Sequence, residues 1–106
     1  MTTKTGMAAP VWRVYKVDGT VETLGHVDPD LKVMQNVVGG YIEMVPRSFF
    51  TMPPIEAYCN EDGIAMKLAP NIHAMEVFGW YSNHPLRGDL LVREPEFDRA
   101  RFEAQR

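Results

Sequence analysis

His73 and Glu76 stand one helical turn apart and His84 follows nearby, so a metal site of two histidines and one carboxylate is conceivable. Nothing holds the histidines at a ligand spacing such as i and i+4, and a short surface helix accommodates such residues without a metal. Cys59, the single cysteine, alternates with Ile55 and Ala57 on a core-facing side, where a free thiol behaves as a small hydrophobe. Neither a basic neighbour nor a helix N-terminus adjoins it to activate a thiolate. Gly39-Gly40 follows a helix, whereas a phosphate loop places its glycines before one, so a helix cap and a close backbone approach are expected. Asn60-Glu61-Asp62-Gly63 carries two carboxylates but lacks the further oxygen ligands of a calcium loop, and reads as a turn. Glu43 shares a strand face with Tyr41 and Val45, which places its carboxylate at a sheet end or beside a partner such as an arginine. No serine sits in a motif that would make it a nucleophile. No catalytic residue, resident metal or cofactor is assigned. Tyr41, Glu43, Arg47, Asn60, Asn71 and Arg87 remain as polar groups able to converge on a small anionic ligand such as a signalling nucleotide.

The elements that must position these groups fit one domain of 106 residues. Lysine and arginine number 11 against 14 aspartates and glutamates, which argues against nucleic acid as a partner. No apolar run reaches the roughly 18 residues of a membrane span. Met1 to Pro10 carries no apolar signal-peptide core, and the lone cysteine suits a reducing compartment, so the expected location is cytoplasmic.

Val11 to Val17 reads as a strand entering an Asp18-Gly19 hairpin turn, with Thr20 to His26 returning beside it. Asp28-Pro29-Asp30 starts a helix, Asp28 capping it and Pro29 taking the first helical position; Leu31, Met34 and Val38 share its core face, and Gly39 ends it. Strands follow at Tyr41 to Val45 and Ile55 to Cys59. The alternation of Ile64, Met66 and Leu68 predicts another, closing a hairpin over the turn at 60–63. Asn71 caps a second helix, Ile72 to Phe78, closed by Gly79. Asp89 to Arg93 is the last strand, and Glu94-Pro95-Glu96 opens a C-terminal helix. The expected fold is therefore α+β, a mostly antiparallel sheet in the order β-β-α-β-β-β-α-β-α. A flexible terminus (1–10), a core (11–93) and a helical extension (94–106) are expected.

The segment Val37-Val38-Gly39-Gly40-Tyr41-Ile42-Glu43, with Asn60-Glu61-Asp62-Gly63, Leu68-Ala69-Pro70-Asn71 and Gly88-Asp89-Leu90-Leu91-Val92, resembles the small phage- and plasmid-borne proteins grouped as domain-of-unknown-function family 3846. The resemblance spans about Val14 to Val92 and implies a mobile-element accessory protein, in the host cytoplasm if phage-encoded. It supplies no activity and no catalytic residues. The apolar loop Arg47 to Pro54 and the tail after Glu94 lie outside the shared pattern.

That loop places Phe49, Phe50, Met52, Pro53 and Pro54 where a surface is expected, and contiguous apolar surface marks a contact. Phe49, Phe50 and Met52, with Phe97 and Phe102 of the tail, are the expected interface of a homo-oligomer. Arg99 and Arg101 interleave with Glu96, Asp98 and Glu103 as a charge-balanced face. The function expected is a non-enzymatic accessory or anti-defence protein that binds a small anionic ligand. The alternatives are a protein-protein inhibitor of a host factor acting through the Phe49-Phe50 loop, and a metal-dependent hydrolase using His73, Glu76 and His84.

Overall fold

The computed structural model describes residues 9–96. Strands β1 (Pro10–Tyr15), β2 (Val21–Gly25), β3 (Ile42–Met44), β4 (Glu56–Asn60) and β5 (Leu90–Pro95) form one antiparallel sheet in the order β2-β1-β5-β4-β3. Helix α1 (Leu31–Val38) covers one face and α2 (Ile72–Phe78) the other. This is the α+β antiparallel architecture expected. None of the described helices is long and apolar enough to cross a membrane.

Period-two alternation sorts the strand residues between two cores. Trp12, Val14 and Leu91 pack with Val38, Met34 and Val37 of α1. Tyr15, Val45, Ala57, Leu90 and Val92 pack with Ala74, Val77 and Phe78 of α2. Leu90, Leu91 and Val92 are all buried because β5 lies at the centre, with neighbours on both edges and a helix over each face.

Local chemistry ends the elements where expected. Asp18 accepts from Thr20 N and Oγ1 at the β1–β2 turn, where Gly19 takes φ of 91°. Asn71 caps α2 through Ala74 N, and Gly39 and Gly79 close their helices in the left-handed conformation.

Four expectations need correction. Residues 64–68 form no strand: 61–67 is a run of turns, with Ile64 69% exposed. The physical reason is that β4 already has β5 on one side and β3 on the other, so no place remains beside it. Asp30, and not Asp28, caps α1 by accepting from Val33 N, so Pro29 precedes the cap. Asp28 instead accepts from Trp12 Nε1, and Leu31 faces outward, 57% exposed. Glu94 and Pro95 prolong β5 rather than open a helix, pairing with Val11 and Pro10. The rest of the expected C-terminal helix, with Phe97 and Phe102, lies outside the described residues from position 97 on.

Candidate functional site

A groove of about 160 Å³ opens on the α2 face at the β3 edge of the sheet. The register of β3 on β4 builds one wall: Glu43 lies directly opposite Cys59, and both point to the groove side with Val45. Pro46 ends the strand, and a single 3-10 turn, Arg47–Phe49, swings Phe49 to the rim. The opposite wall is the segment after α2, carrying Trp80, Pro85, Leu86 and Arg87; Ile64 and Glu61 of the turn region close the end.

The two loops that frame the groove are tied together. Phe50 and Trp80 form a β-bridge, Thr51 N and Met52 N donate to Gly79 O and Phe78 O, and Tyr81 N donates to Phe49 O at 3.1 Å. Trp80 is further held by its Nε1, which donates to His84 O at 2.8 Å, and its ring meets Phe49 edge-on at 5.6 Å. A Cβ on Gly79 would strike Thr51 Oγ1, so glycine there serves both the positive φ and this close approach. The aromatic rim is therefore fixed by backbone bonding.

Most of the polar residues named from sequence serve the backbone. Asn71 is fully buried; its Nδ2 donates to Tyr15 O at 2.7 Å and Gly88 O at 2.9 Å while its Oδ1 accepts from Ala74 N. Asn60 donates to Val38 O and accepts from Asp62 N, and Gly40 packs so close to it that a Cβ would lie 2.8 Å from its Nδ2. Gly39-Gly40 is thus a cap plus a close approach, as its position after the helix implied. Arg47 donates to Pro54 O at 2.7 Å. Arg87 reaches the groove but its Nη1 donates to Leu68 O. Tyr41 stands 66% exposed beside Gly39 and Gly40, in a separate notch. Of the six, Glu43, Asn60 and Arg87 are brought together.

The family model described as Domain of unknown function (DUF3846) matches residues 12–102, which takes in β2 to β5 whole and β1 from Trp12 onward. The chain belongs to the DUF3846 family. The match runs past Val92 into the tail as far as residue 102, so residues 95–102 are part of the shared pattern rather than an addition to it. No curated protein and no solved structure matches the chain.

In this DUF3846 protein the interface residues divide. Phe50 is 5% exposed and packs edge-on against Phe78 and Trp80, so it belongs to the chain's own core. Phe49 and Met52 stay accessible at 38% and 47%. His73 lies against the Tyr15 ring at 5.8 Å, with its Nδ1 buried and lacking a hydrogen-bond partner. Among the described residues no three His, Cys, Asp or Glu side chains are gathered to hold an ion.

Sequence reasoning missed Trp80, Ile64 and Leu86 as groove walls. The signal for Trp80 was an aromatic residue directly after a capping glycine, which must either re-enter the core or stand at its edge. It also missed Glu94, 2% exposed, which accepts from Tyr15 Oη at 2.6 Å and from Arg13 Nη1 at 3.1 Å. Period two from Leu90 and Val92 pointed to that face.

Burial, with the Glu43 carboxylate beside it, pushes the Cys59 thiol up to about 11. Roughly one molecule in a thousand then carries the thiolate at pH 8. Iodoacetamide at pH 8 should therefore alkylate the native protein on the order of 100-fold more slowly than the denatured chain, with the native rate climbing about tenfold per pH unit up to pH 10. Mass spectrometry of timed samples reads this directly; equal native and denatured rates would contradict it. The unfolded thiol loses its proton first, so stability falls as pH rises from about 8.5 toward 11. Tyr58, pushed to about 12 by burial and by its hydrogen bond to Glu56, acts in the same direction at higher pH.

Proposed function

We propose that this chain is a non-enzymatic accessory protein of the phage or plasmid type, acting as an inhibitor of a host protein that docks on the Phe49 groove. The observation that carries this reading is the groove's makeup: a rigid aromatic rim around a volume that holds one side chain. Pockets for small organic ligands typically offer about 300–1,000 Å³, well above the 160 Å³ of this groove; the notch beside Tyr41 reaches about 420 Å³, but Gln35, Asn36, Gly39, Gly40 and Tyr41 line it with no cationic side chain to hold an anion. Accessible aromatic residues around a small apolar recess suit the anchor of a protein partner.

An anionic nucleotide finds less support. The groove carries two carboxylates, Glu43 and Glu61, against one guanidinium, and Arg87 already donates to Leu68 O. Covalent catalysis by Cys59 is opposed by its raised pKa. The hydrolase alternative lacks gathered ligands, because His73 lies under Tyr15 while His84 serves through its carbonyl at Trp80.

Two measurements separate the readings. Capture from host lysate by the full chain should yield a discrete partner that Phe49→Ala loses, while denaturation shows the variant still folded and weaker by about 1–2 kcal/mol. Calorimetry against cyclic and linear nucleotides should give no heat at micromolar concentrations. Nucleotide binding, or capture indifferent to Phe49→Ala, would overturn the proposal.

A further inference from the structure

Among the described residues β3 is the last strand of the sheet, and one side of it pairs with no other described strand. Its bonding toward β4 uses alternate residues. Glu61 N donates to Tyr41 O at 3.0 Å and Val45 N donates to Ala57 O at 2.8 Å, with Glu43 opposite Cys59 between them. Antiparallel alternation turns the N–H and C=O groups of Ile42 and Met44 the other way, to the free side. Four main-chain groups are thus presented at the lip of the groove.

An edge of this kind is a template for an added strand. Resting on the docking role argued above, we propose that the occupant of the β3 edge is an extended, basic segment of a partner protein, which adds a strand to β3 and places a cationic side chain beside Glu43 and an apolar one in the groove. The spacing follows from the pleat. Glu43 and Val45 point to the same face, so the partner residues opposite them also share that face and are two apart. The recognised pattern is a lysine or arginine separated by one residue from an apolar anchor, in either direction. Glu43 and Glu61 supply charge complementarity to the cation at the groove mouth.

A second copy of the chain fits this edge poorly. The self-pairing register that uses all four outward groups sets Glu43 directly opposite Glu43 of the second copy, and like charges in that position destabilise a pair.

The test uses the full chain, a phage-displayed library of random heptapeptides, and the variants Met44→Pro and Glu43→Lys. Proline at position 44 removes an outward N–H and leaves the bonding to β4 untouched, as edge strands tolerate. Selection on the native chain should enrich lysine or arginine two positions from an apolar residue. Met44→Pro should weaken the selected peptides by roughly tenfold, and Glu43→Lys should shift the enrichment toward acidic residues. Absence of enrichment, peptides that bind Met44→Pro as tightly as the native chain, or a dimer in sedimentation that Met44→Pro abolishes would each overturn the proposal. Lysate capture lost in Phe49→Ala but retained in Met44→Pro would leave the docking role standing and remove only strand addition.

Discussion

Asn71→Ala should be one of the two most damaging polar substitutions in the protein, costing about 3 kcal/mol. The asparagine is wholly buried and joins three segments: it caps α2, and its amide holds Tyr15 O at the end of β1 and Gly88 O before β5. Alanine removes a helix cap worth about 1 kcal/mol. It also leaves two buried carbonyls without this donor, at about 1 kcal/mol or more each. For a domain of this size the midpoint of thermal unfolding should drop by roughly 15 °C. Asn71→Ser separates the two roles, since a serine oxygen can still cap while no amide reaches the carbonyls; it should recover about 1 kcal/mol. Urea unfolding of the three proteins checks this, and an alanine variant within 1 kcal/mol of native would refute the role given to the side chain.

Glu94→Ala should match or exceed it, at about 3–5 kcal/mol, because it strips a buried guanidinium of its carboxylate. Glu94 is 2% exposed and Arg13 11%, so water does little to replace the lost partner. The same carboxylate receives the Tyr15 hydroxyl, which links it to the α2-side core. Replacing both charges should hurt less than the sum of single changes. In a cycle of Glu94→Gln and Arg13→Met, the arginine change should cost markedly less once the glutamate is neutral. Strict additivity would show that the pair does not act as a unit.

These two residues also mark what could and could not be read from the chain. Asn71 and Gly79 bracket α2 by local rules, since a cap needs only the three or four residues beside it. The Asp18-Gly19 hairpin was legible for the same reason. Glu94 was not, because Glu94-Pro95-Glu96 has the composition of a helix start while long-range pairing with β1 holds it in a strand. Residues 64–68 failed similarly. Their alternation was real, but the sheet had no edge left for them beside β4, and the Asn60 side chain draws Asp62 N into a turn.

The site was half legible. The apolar loop at 47–54 was correctly singled out as unusual for a surface, yet its two phenylalanines part company: Phe50 enters the core and Phe49 stays at the rim. What divides them is the bridge between Phe50 and Trp80, a contact 30 residues apart in sequence that no local pattern encodes. Four of the six polar residues singled out, Arg47, Asn60, Asn71 and Arg87, are structural anchors. Their amides and guanidinium groups hold carbonyls, which is the commonest duty of a buried polar side chain.

The central claim is that the Phe49 rim meets a protein. A photoreactive benzoylphenylalanine in place of Phe49, and in a second variant in place of the outlying Val27, tests it most directly when each full-length protein is irradiated in host lysate. The account predicts one adduct of discrete added mass from position 49 and none from position 27. No adduct at 49, or the same adducts from both positions, would contradict it.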